Sequence, residues 1–349
     1  MSDDKRTFLH KVVLVDAIGL LFLFTLAAIW YAAHVLLLIF ACVLFAILLY
    51  DLSLHVARHL PLSRRSALGL VVVLLFGLLG IAGWLMAPQI AEQAARLADL
   101  MPNSLEALRA ALARQKLLAW IIAELPPTPQ IRAQLAALVP SAGPLFSGLL
   151  GGLGNIVIII FVGIYFALQP ALYIEGMIKL VPKARRERAR AVLAATGRTL
   201  AKWLIGKACS MVLVGTLSAV GLTMLGVPLA LILGIIAGLL EFIPYLGPLM
   251  AGVPAALIAY SVSPALALYT FLLFLAVQTA ESYLITPLIE KKTVSLPPAL
   301  TILMQLLFGA LFGLAGVALA TPLTAVLAVL VSMLYVQDML GDTIRPPPR

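Results

Sequence analysis

Between Ala208 and Leu240 no residue carries a charge. A helix needs about 20 apolar residues to cross roughly 30 Å of hydrocarbon, and this tract exceeds that length. Other apolar tracts lie at Val12–Tyr31, Ala33–Tyr50, Ala67–Ala87, Asn155–Leu168, Pro264–Thr286 and Pro298–Val336, with clusters of charge between them. The composition agrees: 63% of residues are hydrophobic and 11% are charged, against about 25% charged in a soluble domain. The mean hydropathy is +1.10. Lipid is therefore the expected solvent, and the expected fold is an all-α polytopic membrane protein of about eight transmembrane helices.

The net charge of +9 raises nucleic acid as a partner, but its placement argues against that: nine of the 24 Lys and Arg fall between Lys179 and Lys207, with no groove-reading motif or stacking platform beside them. The positive-inside rule accounts for them instead. With the N-terminus in the cytoplasm, two spans over Val12–Tyr50 return the loop holding Arg58, Arg64 and Arg65 to the cytoplasm. A third span over Ala67–Ala87 exports the segment Pro88–Pro140, and a fourth brings the basic region Gln169–Lys207 back inside. An even total places both termini in the cytoplasm. The expected layout is three N-terminal spans (1–87), an external helical excursion (88–147), the fourth span (148–168), a basic cytoplasmic amphipathic region (169–207), a C-terminal transport core (208–337) and a tail (338–349).

Several finer expectations follow from spacing. Asn103 and Glu106 resemble a capping box that would start a new helix in the excursion. Val192, Thr196, Leu200 and Trp203 recur at helical spacing, as an amphipathic helix on the cytoplasmic surface would. Cys42 and Cys209 lie in apolar tracts and read as buried small hydrophobes. The glycines at Gly148–Gly154 have no Lys-Ser/Thr behind them and are not a phosphate loop.

The densest chemistry lies where the apolar tract breaks, at Glu241-Phe-Ile-Pro-Tyr-Leu-Gly-Pro248, with Pro254 beyond it. Pro228–Leu240 is too short for an ordinary span, so a broken or re-entrant helix is expected in the C-terminal half. Non-helical backbone at membrane depth costs several kcal/mol per unsatisfied group unless protein or a wet cavity satisfies it. Pro244 and Pro248 donate no backbone hydrogen bond, and Gly247 lets the chain turn. Broken helices form solute sites in many transporters because helix ends expose oriented polar backbone. Glu241 and Glu281 are the charges expected on a substrate or ion path, with Tyr245, Gln278, Tyr283 and Thr286 as neighbouring donors and Gln305 as a polar contact between helices. Asp16 lies near the start of a span and is a weaker candidate, and His34, at a hairpin position, reads as interfacial. Gly309, Gly313, Gly316 and Pro322 mark helix packing or a hinge in the last tract. No nucleophile elbow, zinc motif or metal cluster appears, so neither enzyme nor cofactor is expected.

Taken in order, Phe161-Val-Gly-Ile-Tyr-Phe166, the Glu241–Pro248 run, Glu281-Ser-Tyr-Leu-Ile-Thr-Pro-Leu-Ile289, Leu296-Pro-Pro-Ala-Leu-Thr-Ile302, Phe308-Gly-Ala-Leu-Phe-Gly-Leu-Ala-Gly316 and Ala320-Thr-Pro322 resemble the motifs of the AI-2E family of transporters. The resemblance implies a bacterial or archaeal inner-membrane permease for small polar solutes, with export of an autoinducer-2-like molecule as the leading expectation. It also implies a homo-oligomer, with a pentamer expected. Glu241, Pro244, Tyr245, Gly247 and Pro248 carry over as the central signature; Glu281, Pro287 and the glycine cluster carry over more loosely. Gln169 stands where relatives often have an acidic residue. The alternatives are a sodium or other cation/proton antiporter, with H+ or Na+ as coupling ion, and a membrane scaffold or binding protein that uses the outer excursion.

Overall fold

The computed structural model describes residues 32–113, 145–285 and 296–342, all helical or in short connections. The expected first span with Asp16, most of the outer excursion, Thr286, Pro287, Lys291, Lys292 and the C-terminal arginines lie outside the described residues. Helix α1 runs Ala32–His59. It is followed by α2 (Arg64–Ala113), α3 (Leu145–Leu168), α4 (Pro170–Lys179), α5 (Arg186–Met224), α6 (Ala230–Leu240), α7 (Leu246–Val262), α8 (Pro264–Ala280) and α9 (Pro298–Leu330). Five helices are long and apolar enough to cross a membrane, or six if the bent α3–α4 pair is one span. The apolar surface fits this: Leu78, Trp84, Val212, Met224 and Leu303 all stand exposed, as lipid-facing side chains do.

Several expected boundaries move. The polar stretch Asp51–Ser66 is mostly helix, because His55 and His59 reach back to the Asp51 and His55 carbonyls and continue α1. Helix α2 does not stop at Ala87: its backbone continues through Pro88, Pro102 and Asn103 to Ala113, about 75 Å in all. The capping box at Asn103 is therefore not a helix start. The basic region divides as well. Helix α3 ends at Leu168 because Pro170 disfavours a helical backbone at the residue before it, and Gln169 sits at φ −133°. Helix α4 then leaves at 83° to α3. The residues Val192, Leu200 and Trp203 belong to α5, a single helix that carries the chain on through Lys207 into the apolar tract. Val192 and Leu200 are buried, and Leu200 and Leu204 pack on Leu44 of α1, so the apolar face of this stretch is packed against protein. Cys42 is buried as expected; Cys209 is exposed.

The centre of the molecule is the pairing of α5 with α6, the most extensive helix contact among the described residues. Small residues make it. A Cβ on Gly238 would stand 2.8 Å from the Met211 carbonyl oxygen and 3.0 Å from the Gly215 Cα, and one on Gly234 would stand 2.5 Å from the Ala219 Cβ. Gly215 and Ala219 thus face Gly238 and Gly234, four residues apart on each helix, and the backbones touch. Helices α6 and α7 fold back on each other through a turn at Glu241–Tyr245, with Ala230 and Leu233 against Ala255, Ile258 and Ala259 at the far end. The long α2 leans on that end: Leu100 packs against the same cluster, and the Gln93 Oε1 accepts from the backbone N–H of Ile232 at 3.1 Å. That bond satisfies one of the free donors in the first turn of α6.

Helix α9 is broken once. Gly313 has φ 62° and ψ −147°, open in practice only to glycine. Beyond it the chain doubles back, so that a Cβ on Gly316 would run into the Phe308 carbonyl and one on Gly309 would stand 2.7 Å from Val317. Pro322 lies inside the second arm and is fully buried without breaking it.

Candidate functional site

Among the described residues three charged side chains are buried: Lys207, Glu241 and Glu281. The α5–α6 register brings the first two together. Counting one helical turn from Met211, opposite Gly238, reaches Lys207; counting three residues from Gly238 reaches Glu241 at the end of α6. The Lys207 Nζ donates to the Glu241 Oε1 at 2.8 Å, with Glu241 2% exposed. The other carboxylate oxygen, Oε2, is buried without a hydrogen-bond partner. Ser210, one turn along the same face of α5, donates its hydroxyl to the Glu281 Oε1 at 2.9 Å. Glu281 opens a π-helical turn, Glu281–Ile285, that continues α8. Gln278 and Ser282 stand 3.5 Å from its Oε2. Helix α5 therefore holds both carboxylates, one through an ammonium and one through a hydroxyl.

The turn beside Glu241 is built for close approach. Ile243 N–H bonds to the Leu240 carbonyl, Leu246 N–H to that of Pro244, and Gly247 N–H to that of Ile243. Tyr245 holds φ 65°, an uncommon conformation for a side chain of its size. A Cβ on Gly247 would collide with the Leu240 carbonyl, so only glycine fits. The Gln305 Nε2, from the first arm of α9, donates to the Pro244 carbonyl at 2.9 Å. Its Oε1 is buried and unpaired.

The expected site residues thus separate. Glu241, Pro244, Gly247, Gln278, Glu281 and Gln305 contribute to one cluster from α6, α8, α9 and the turn. Pro248 starts the first turn of α7 and only half emerges from the packing. Tyr245 is 51% exposed and Tyr283 77% exposed. His34 meets Phe312 edge to face at the tip of α9, with ring centroids 5.4 Å apart. Gly309, Gly313 and Gly316 shape the α9 reversal and touch neither glutamate. Lys207 and Ser210 were missed. Lys207 closes a basic run in sequence, and nothing local separates it from solvated neighbours; the signal was the small-residue spacing of Gly215, Ala219, Gly234 and Gly238.

The construction is that of a polytopic helical membrane protein with ionisable groups held inside its bundle, the arrangement of a membrane transporter. Sequence comparison narrows it. The model of the AI-2E family transporter matches residues 20–335, and the chain belongs to that family. It is 27% identical over 302 residues to the putative transport protein YueF of Bacillus subtilis, covering 82% of each chain. It is also 25% identical over 296 residues to a putative transport protein of Methanothermobacter thermautotrophicus, covering 80% of this chain and 82% of that one. The putative transport protein YrrI of Bacillus subtilis is 33% identical over 151 residues, 43% of each chain. The protein is accordingly a multi-pass membrane transporter of a permease family and not an enzyme.

Proposed function

We propose that the chain moves a small polar solute, an autoinducer-2-like molecule in the efflux direction, through a site at the Glu241–Pro248 turn, with Lys207 and Glu281 as its charged walls. The observation that carries this is the buried Lys207–Glu241 pair with its unpartnered carboxylate oxygen. Taking two charges out of water costs several kcal/mol per ion, and their attraction only partly offsets it. A charged group in that position serves a path or a partner. Helix α6 has 11 residues, about 16 Å, roughly half of the hydrocarbon thickness. In this reading α6 and α7 form a re-entrant hairpin whose turn stands inside the membrane, in a chain of about eight spans with both termini cytoplasmic. The inner membrane of a bacterium or archaeon is its location, and a homo-oligomer, a pentamer by family likeness, its assembly.

The test is flux in proteoliposomes at matched protein incorporation. Glu241→Gln keeps the side-chain shape and removes the charge. It abolishes proton-coupled flux in the protein that folds, with a lowered melting temperature because Lys207 loses its counter-charge; an unchanged dependence of flux on pH overturns the assignment.

A second reading is favoured by one observation: two carboxylates, Glu241 and Glu281, are buried against one face of α5. Such a site suits a carboxylate for which a proton and a metal cation compete, as in a cation/proton antiporter. Dye-reported pH change on adding sodium separates the readings; no response at several pH values removes the antiporter. The scaffold reading is supported by nothing in the cluster, since a scaffold has no use for charges buried at this cost.

A further inference from the structure

The basic face of the molecule carries a second feature that the ionic cluster does not use. A groove of about 1030 Å³ lies between α4, the start of α5 and the π-helical segment Val331–Gln337 that follows α9. Its walls are apolar, formed chiefly by Ile178, Val181, Val192 and Leu334, and its rim holds Arg185, Arg188 and Asp338. Arg188 is spent on closing the back of the groove. Its Nη2 donates to the Met333 carbonyl at 2.7 Å and to the Gln337 Oε1 at 3.0 Å, and its Nε donates to the Asp338 Oδ2 at 2.9 Å. Arg186 is spent on the Val181 and Lys179 carbonyls. Arg190 pairs with Glu175, and this hydrogen bond holds the Glu175 carboxyl below the usual range. Arg185 alone of these arginines has no acceptor among the described residues, and it stands exposed at the groove's mouth.

We infer that this groove binds an anionic phospholipid from the membrane leaflet on the basic side, with an acyl chain along the apolar walls and the phosphate on Arg185. The geometry of α4 suits that depth. The helix turns 83° away from α3, and Leu172, Tyr173, Ile174 and Leu180 stand exposed on it, as on a helix lying in the membrane interface. With Arg188 neutralised by Asp338, the rim keeps the charge of Arg185, which complements one phosphate. A free polar solute is a poorer match, because it leaves the apolar walls of Ile178, Val181, Val192 and Leu334 unfilled. The inference does not depend on which solute is transported.

Native mass spectrometry of the full chain tests it, with dioleoyl phosphatidylglycerol titrated against dioleoyl phosphatidylcholine. The wild type retains phosphatidylglycerol in preference. Arg185→Gln, at an exposed position, leaves the melting temperature unchanged and lowers that preference about fivefold, the worth of one basic residue near an anionic headgroup. Ala189→Trp fills the groove and lowers retention of both lipids. An unchanged preference in Arg185→Gln overturns the inference, whatever Ala189→Trp does. Displacement of phosphatidylglycerol by millimolar inorganic phosphate overturns it in favour of a soluble anion, and cross-links from the groove to a second copy overturn it in favour of a subunit contact.

Discussion

Two of the reversals in the C-terminal half, those at Glu241–Tyr245 and at Gly313, solve the same steric problem with different chemistry. At Glu241–Tyr245 and at Gly313 a residue takes a positive φ, and just beyond each a glycine, Gly247 or Gly316, sits where a Cβ would strike a carbonyl of the incoming helix, that of Leu240 or of Phe308. The first reversal is polar. It carries Glu241, pairs it with Lys207, and leaves a carboxylate oxygen free. The second is apolar, flanked by Phe308, Phe312 and Val317, and holds no charge. Backbone geometry alone therefore does not call for the buried ion pair, since the Gly313 reversal does without one. On the proposed function the charges at the first turn serve transport, and the comparison can be broken by experiment.

The largest expected effect is on the polar turn. Lys207→Met leaves Glu241 charged, buried and unpaired, and removing one partner of a buried pair typically costs about 3–5 kcal/mol. The melting temperature of the detergent-purified protein should fall steeply. The double variant Lys207→Met/Glu241→Gln should recover most of that fall while remaining inactive in flux. If the double variant transports normally, the ion pair is structural and the contrast between the two reversals disappears.

Next are the glycines. Gly247→Ala and Gly316→Ala both push a methyl group into a carbonyl, and overpacking of this kind costs about 1–3 kcal/mol. Their melting temperatures should fall by similar amounts, because the clash is the same. Their flux should differ: Gly247→Ala shifts the residues beside Glu241 and lowers flux per folded molecule, whereas Gly316→Ala lowers yield and leaves the pH dependence of flux unchanged. Equal loss of specific flux in both variants would show that the apolar reversal is equally part of the transport machinery.

How much of this was legible beforehand depends on whether the signal was local. The membrane class, the helical fold and the importance of the Glu241–Pro248 run rest on composition and on the lack of backbone donors at Pro244 and Pro248, and both are local properties. The boundary at Pro88 was read from composition, yet α2 runs straight through it; a polar turn of sequence ends a span but does not end a helix. The continuity of α5 from Arg186 to Met224 was missed for the same reason, since charge changes along it and helical propensity does not. Lys207 could not be read as a partner of Glu241 without the register of α5 on α6. That register is set by Gly215, Ala219, Gly234 and Gly238, residues that carry no chemistry of their own. The exposure of Tyr245 and Tyr283 is likewise set by direction on a turn or helix, which sequence spacing does not fix, and both stand largely exposed.

The smallest effect concerns a hydrogen bond that ties the two reversing segments together. Gln305, on the first arm of α9, donates to the Pro244 carbonyl, an acceptor that the turn's own Leu246 N–H already shares. Gln305→Leu removes one hydrogen bond and also removes a buried, unpaired oxygen, two changes of opposite sign, each about 1 kcal/mol. The melting temperature should therefore move little. If the α9 arm positions the turn during transport, flux should still drop severalfold, and Gln305→Glu should not restore it, because a carboxylate accepts where Pro244 needs a donor. If flux in Gln305→Leu equals that of the wild type, the two reversals act independently, and the transport site is confined to α5, α6 and α8.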